Sequence, residues 1–315
     1  MSRRPTTAPD ARAGVHIAGV SRRFGSTAAI SDVTFDVHAG EVLGLLGPNG
    51  AGKTTTMRVM TGYLRPTSGR VLVDGIDIAD DPVAARRHIG YVPESSAVPG
   101  EMSVVGFLRY CARLRRVPRR DRQKAVASAL RQAGLGGVAH ARIGTLSKGY
   151  RQRVAISQAL VHDPDVLVLD EPTAGLDPRQ VAETRDLIAK LGRTRSVLLS
   201  SHLLPEVSTL CKRVVVLDKG RVLAVADVAT LTAATGTRLE LRVSGDPARV
   251  VQIVSGLAGV DSASVRGELV VVSGTGADLA QRVAAAIVDA GIGLLEQRVT
   301  SSGTLEEAYL NLVRE

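Results

Sequence analysis

Only two of the 315 residues are cysteine, Cys111 and Cys211, and they stand far apart with no paired metal-ligand spacing. That argues against a disulfide framework and a cysteine zinc site, and leaves buried or spectator thiols. Long hydrophobic runs are missing as well. The longest pure stretches, such as Val214 to Leu217, are strand-sized, whereas a membrane-spanning helix needs about 18 apolar residues in succession. If such a chain works at a membrane, another chain does the spanning. The segment from Met1 to Ala13 has Arg, Pro, Thr and Ala but no apolar core of about 7–15 residues, so it fails as a secretion signal. Residues 1–13 therefore read as a disordered tail of a cytoplasmic protein. Aromatic residues are scarce too, five Tyr and three Phe, which makes the position of each worth following.

Charge is present in excess, at a formal +9. Residues 1–23 hold five Arg and one Asp, and residues 109–124 hold seven Arg, one Lys and one Asp, so these segments contribute +4 and +7 and leave the remainder close to neutral. A local run such as Arg113 to Lys124 is a solvated helix face or an anionic-lipid-facing surface more readily than a reader of nucleic-acid sequence. A nucleic-acid partner stays a minority option. With 44% hydrophobic residues, the chain can build one substantial α/β core and a smaller appended domain.

Val33, Phe35 and Val37 alternate with polar residues before His38-Ala39-Gly40, and Arg70 to Val73 precede Asp74-Gly75. The first third thus opens with short antiparallel strands. Val42 to Leu46, Val166 to Leu169 and Val197 to Leu199 are instead continuous apolar runs, the pattern of strands buried on both faces of a parallel sheet. From about Ser103, Phe107, Leu108, Cys111 and Leu114, then Val126, Leu130 and Leu135, recur at helical spacing, which predicts a helical insertion over about 103–160. A hairpin is expected from Val214 to Val225 around Lys219-Gly220. From about Arg238 the chain reads strand, helix, strand pair, helix, strand, helix, a small α+β domain with a split β-α-β order. The expected domains are 14–226 and 236–315.

Gly47-Pro48-Asn49-Gly50-Ala51-Gly52-Lys53-Thr54 fits G-x-x-x-x-G-K-[ST] between a buried strand and a helical segment. In that context the glycines let backbone N–H groups surround phosphates and the helix N-terminus adds its positive dipole end. Lys53 supplies a point charge, and Thr54 offers a hydroxyl to Mg²⁺. The apolar strand Val166 to Leu169 ends in Asp170-Glu171. Asp170 is placed to hold Mg²⁺ through water, and Glu171 to polarise an attacking water as general base.

These two motifs fit many nucleotide hydrolases. What narrows the reading is Leu146-Ser147-Lys148-Gly149-Tyr150-Arg151-Gln152 ahead of Asp170-Glu171, which resembles the LSGGQ signature of ABC ATPases. The resemblance extends to Gly175-Leu176-Asp177 as the D-loop and His202 as the switch histidine. It also takes in Glu94 in Tyr91-Val92-Pro93-Glu94 at the Q-loop and Phe24 as the aromatic that stacks on adenine, and it covers residues 15 to 225. It implies a P-loop NTPase core of α/β class with an antiparallel β subdomain and a helical insertion, besides the small C-terminal α+β domain. It further implies ATP held by Phe24, Gly47 through Thr55 and Glu94, with Mg²⁺ on Thr54, Glu94 and Asp170. Glu171 and His202 are then catalytic, and Leu146, Ser147, Lys148, Gly149 and Tyr150 face the ATP of a second subunit. Ser147 also suits the N-cap of a helix running toward Val161.

Three positions depart from the common pattern: Lys148 replaces the first signature glycine, Tyr150 its glutamine, and Glu94 the Q-loop glutamine. The extra negative charge of Glu94 near the γ-phosphate is expected to be partly offset by Lys148 of the facing subunit. The signature run, Glu94 and the final helix Leu305-Glu306-Glu307-Ala308-Tyr309-Leu310 are similar to one subgroup, the ATPases of ABC-2-type exporters. That implies a multi-span permease in a separate chain, a second ATPase subunit in a homodimer, and a place on the inner face of the cell membrane. The rival readings are a soluble ABC ATPase acting on ribosomes or nucleic acid and a small-molecule P-loop kinase. The first usually carries two cassettes where this chain has one; the second leaves the signature unexplained.

Overall fold

The structure is a computed structural model that describes residues 13–95, 97–201, 203–233, 236–276, 278–300 and 305–314. The chain divides into two compact units, with the boundary between Val225 and Ala226. In chain order the first unit contains β1 (Ala13–Phe24), β2 (Thr27–His38), β3 (Val42–Leu46), α1 (Lys53–Met60), β4 (Ser68–Val73), β5 (Ile76–Asp77), α2 (Pro82–Ala85) and β6 (Ile89–Val92). These are followed by α3 (Val104–Leu114), α4 (Arg122–Gln132), α5 (Lys148–Leu160), β7 (Val166–Leu169), α6 (Pro178–Gly192), β8 (Ser196–Ser200), α7 (Leu204–Leu210), β9 (Arg213–Asp218) and β10 (Arg221–Asp227). Of the expected tail, residues 1–12 lie outside the described residues, whereas Ala13 opens β1 and pairs with His38.

An antiparallel sheet of order β2-β1-β4-β5 makes one layer. Its inward positions, Val15 and Ile17 on β1 and Val33, Phe35 and Val37 on β2, are buried, as period-2 alternation requires of a strand with one wet face. The second layer is a six-stranded sheet of order β10-β9-β3-β8-β7-β6. In it β3 runs parallel to both β8 and β9, and β7 to both β6 and β8. Leu43 and Leu45 join the inward face of the first sheet and Met57 and Met60 of α1 in one apolar cluster. With β3 central, the segments after β3, β7 and β8 all leave from the carboxyl ends of neighbouring strands, where open α/β sheets form their ligand crevice.

The insertion packs α3, α4 and α5 together. Ser103 caps α3 by accepting from Gly106 N at 3.2 Å, and α3 buries Val104, Phe107, Leu108 and Cys111 on one face. A two-residue turn, Lys219-Gly220, joins β9 to β10.

The second unit contains α8 (Val228–Ala233), β11 (Thr237–Ser244), α9 (Pro247–Ser255), β12 (Val260–Arg266), β13 (Leu269–Gly274), α10 (Leu279–Asp289), β14 (Gly293–Thr300) and α11 (Leu305–Arg314). Its sheet has the order β12-β13-β11-β14 with antiparallel neighbours, so the two β-α-β halves are split by one another's strands. Leu239, Leu241, Val250, Val254, Val270, Val272, Val283 and Ile287 form a core of its own. The helix α8 stands ahead of the expected start at residue 236.

Candidate nucleotide-binding site

The loop after β3 turns into α1 at Gly52, whose φ of +103° is one that L side chains rarely adopt. A Cβ there would lie 2.6 Å from Ile30 Cγ2, so the residue type is dictated twice. The first N–H groups of a helix have no intrahelical partner, and in α1 they belong to Lys53, Thr54 and Thr55. All three line a cavity of about 770 Å³, together with Pro48 through Gly52, Thr27 to Ala29, Glu94, Asp170, Glu171 and Lys219. Lys53 is buried, and its ammonium donates to the carbonyls of Gly47 at 2.7 Å and Pro48 at 3.2 Å. Unpaired donors and an ammonium in one concavity make an anion site.

Opposite them sit the two carboxylates at the end of β7. Asp170 is 1% exposed, and its Oδ1 accepts from Ser200 Oγ at 2.7 Å. The same hydroxyl accepts from Glu171 N at 2.9 Å. Glu171 has φ of +49°, a left-handed conformation that costs a side-chain-bearing residue on the order of 1 kcal/mol or more. Its peptide is thus pinned from β8 while its side chain is turned to the cavity wall. Asp170 Oδ2 is buried among the described residues with no hydrogen-bond partner. An orphaned carboxylate oxygen beside the Thr54 hydroxyl and Glu94 fits the all-oxygen donor set of a hard divalent cation. The Tyr91 phenol on β6 is held above its ordinary pKa by burial and by the Asp170 charge.

A second concavity, of about 330 Å³, brings Ser147, Gly149 and Tyr150 to Asp177 and Gln180. Ser147 caps α5, accepting from Tyr150 N at 3.3 Å, and Asp177 caps α6, accepting from Gln180 N at 2.9 Å. Two helix N-termini therefore converge. Gly149 permits the approach, since a Cβ there would lie 2.8 Å from the Gln180 side chain. Lys148 Nζ donates to Gly175 O at 2.9 Å within the same chain. The expected partial offset of Glu94 by Lys148 of a facing subunit would have to compete with this bond. Its ammonium already has an acceptor on its own D-loop, and that bond relieves a cation placed at the positive end of α5.

The model of the ABC transporter family matches residues 30–174. An uncharacterised ABC transporter ATP-binding protein, YhcH of Bacillus subtilis, is 38% identical over 216 residues, which are 68% of this chain and 70% of that protein. The ABC transporter ATP-binding protein NatA of the same organism is 36% identical over 64% of this chain and 85% of its own. The chain belongs to the ABC transporter ATP-binding proteins. It is an ATP-hydrolysing subunit of an ABC transporter, and subunits of this family form dimers and work with membrane permeases. The Nod factor export ATP-binding protein I of Rhizobium sp. (strain N33) is 37% identical over 68% of this chain and 70% of that protein. Among solved structures, CbiO1 of Clostridium perfringens, part of the CbiONQ ABC transporter complex, is 30% identical with a TM-score of 0.63. It covers 69% of this chain and 89% of its own. A dimeric ATP-binding cassette bound to ADP and Pi has the same fold, with a TM-score of 0.60 at 24% identity over 68% of this chain and 98% of its own.

Within this ABC ATPase, Phe24 ends β1 and is 48% exposed, with the Arg22 guanidinium 4.7 Å from its ring centroid. It stands just ahead of the cavity wall at Thr27 to Ala29 but is not part of that wall. His202, expected as the switch histidine, lies outside the described residues. Sequence reasoning missed Ser200, Ser201 and Glu206. Glu206 is buried, accepts from Thr173 Oγ1 at 2.6 Å, and lies 3.5 Å from Ser201 Oγ, which ties the ends of β7 and β8 to α7. The Ser200-Ser201 pair next to His202 was the available signal. Burial pushes the thiols up to about 11 for Cys111 and about 12 for Cys211. Both are inert at neutral pH.

Proposed function

We propose that this subunit drives export or membrane remodelling by a separate multi-span permease, working as a homodimer on the inner face of the cell membrane. The observation that carries the reading is the single cavity shared by the phosphate loop, the orphaned Asp170 Oδ2 and Glu171. The export role named for one relative, the Nod factor export ATP-binding protein I, supports the direction. Lys53 and the backbone of Gly47 through Thr55 hold the phosphates of ATP, with Phe24 stacking on adenine. Thr54, Asp170 and Glu94 hold Mg²⁺, which supplies positive charge to the phosphates. Glu171 takes a proton from the attacking water, and His202 senses the γ-phosphate, giving ADP and phosphate from ATP and water. The signature Leu146 to Tyr150 and the D-loop Gly175 to Asp177 meet the ATP of the facing subunit. The permease's cytoplasmic helices dock around Glu94 and the insertion from Ser103.

Tagged Glu171→Gln protein, locked with ATP and recovered from detergent-solubilised membranes, tests this. Co-purification of a stoichiometric multi-span protein supports the reading. Ribosomes or nucleic acid in its place would overturn it in favour of a soluble ABC ATPase.

A further inference from the structure

Seven Arg and one Lys crowd residues 109–124, and the fold shows where they go. One face of α3 is buried through Phe107, Leu108 and Cys111. The opposite face carries two stripes at i, i+4 spacing: Arg109 with Arg113, and Tyr110 with Leu114. Both apolar members are open to solvent, Tyr110 by 50% and Leu114 by 63%. The connection to α4 continues this surface with Arg116, Arg119 and Arg120, all exposed. Arg120 lies 3.5 Å from Asp121. Among the described residues, no carboxylate lies within ion-pair distance of Arg109, Arg113, Arg116 or Arg119.

Behind the connection opens a cleft of about 590 Å³, lined by Arg87, Arg115, Arg116 and Lys124 and also by the carboxylates of Asp121 and Asp163. Arg115 is partly buried there, and the only bond to its guanidinium among the described residues is a long one, 3.5 Å, to the carbonyl of Arg86. Burial and the nearby Arg86 hold its pKa below the ordinary value, so an anion entering the cleft relieves the charge.

We infer that the outer face of α3 and the α3–α4 connection rest on an anionic bilayer, with phospholipid phosphates meeting the arginines and Tyr110 and Leu114 entering the headgroup boundary. An apolar stripe flanked by basic residues is the composition of an interfacial helix, and a cluster of exposed arginines suits a plane of phosphates. Duplex nucleic acid offers phosphates but no apolar layer beneath them to receive Leu114. The inference rests on the proposed membrane partnership only in that this partnership brings the subunit to a bilayer.

The test is co-flotation of the purified full chain with phosphatidylcholine vesicles and with mixed phosphatidylcholine–phosphatidylglycerol vesicles. The expected result is flotation with the anionic vesicles alone, lost at high salt. The triple variant Arg113→Gln/Arg116→Gln/Arg119→Gln, with unchanged ATP binding as its folding control, should bind them on the order of a hundredfold more weakly. Tyr110→Ser/Leu114→Ser should weaken binding while leaving its salt dependence intact. Equal flotation of wild type and triple variant would assign any binding to another basic segment and sink the inference. So would indifference to phosphatidylglycerol, displacement by inorganic phosphate at matched ionic strength, or binding of duplex DNA in preference to vesicles. Recovery of a permease with Glu171→Gln protein is scored separately, so failure here leaves that reading standing.

Discussion

Ser200 holds two carboxylate-bearing residues with one hydroxyl, donating to Asp170 Oδ1 and accepting from Glu171 N. Ser200→Ala removes the only hydrogen bond that the described residues give the buried Asp170 carboxylate and frees the strained Glu171 peptide. We expect a loss of about 1–3 kcal/mol in urea unfolding and a fall in turnover on the order of tenfold to a hundredfold. The KM for ATP should change little, because Lys53 and the loop backbone are untouched. A variant with normal turnover would show that Glu171 is positioned without this bond. Lys148 poses a different question. Its ammonium is on Gly175 of its own chain, so Glu94→Gln and Lys148→Gln should act on turnover independently, adding within about 0.5 kcal/mol in a double-mutant cycle. A larger coupling would restore the idea of charge compensation between subunits. Lys53, Asp170 and Glu171 were legible in the sequence because each sits in a motif whose spacing has a mechanical cause. Ser200 and Glu206 were not, because a lone hydroxyl or helix carboxylate gains its role only from the adjacency of β7, β8 and α7.

At the scale of elements, the continuous apolar runs announced β3, β7 and β8 as buried parallel strands. Two members of that sheet were harder to see. The short β6 carried no strand expectation, only the motif Tyr91 to Glu94 that overlaps its end, and β9 was expected only as half of a hairpin with β10, although it also runs parallel to β3. Pairing partners are set by tertiary packing, which local pattern does not encode. The junction of α5 with β6 carries a pH dependence of its own. His162 bonds Ile89 O through Nε2 at 3.0 Å, and burial, aided by Arg115, pushes its pKa down to about 4. The neutral ring is the folded form. Between the unfolded value near 6.5 and about 4, the unfolded chain binds more protons, so stability falls as pH drops through that window. The contribution lost is on the order of 3 kcal/mol. Thermal unfolding across this range should therefore be less pH-dependent in His162→Gln than in wild type, and identical slopes would remove His162 as the cause.

For the whole molecule, the division at Val225 and Ala226 separates two kinds of legibility. The first unit declared its chemistry through motifs, and the second only its element order from β11 onward, while naming no activity. Each unit owns a core, the first around Val33, Leu43, Met57 and Leu198 and the second around Leu239, Val250, Val270 and Ile287. Separate cores of this size favour separate cooperative transitions. The nucleotide cavity is lined entirely by residues of the first unit. ATP with Mg²⁺ at about 100 times its Kd should then stabilise that unit by about 2.7 kcal/mol and leave the other unmoved. Calorimetry of the Glu171→Gln protein, which does not consume the ligand, should resolve two transitions of which one rises with ATP. If both rise together, the nucleotide is energetically coupled to the C-terminal unit, and residues 226–315 belong to the ATP-driven cycle.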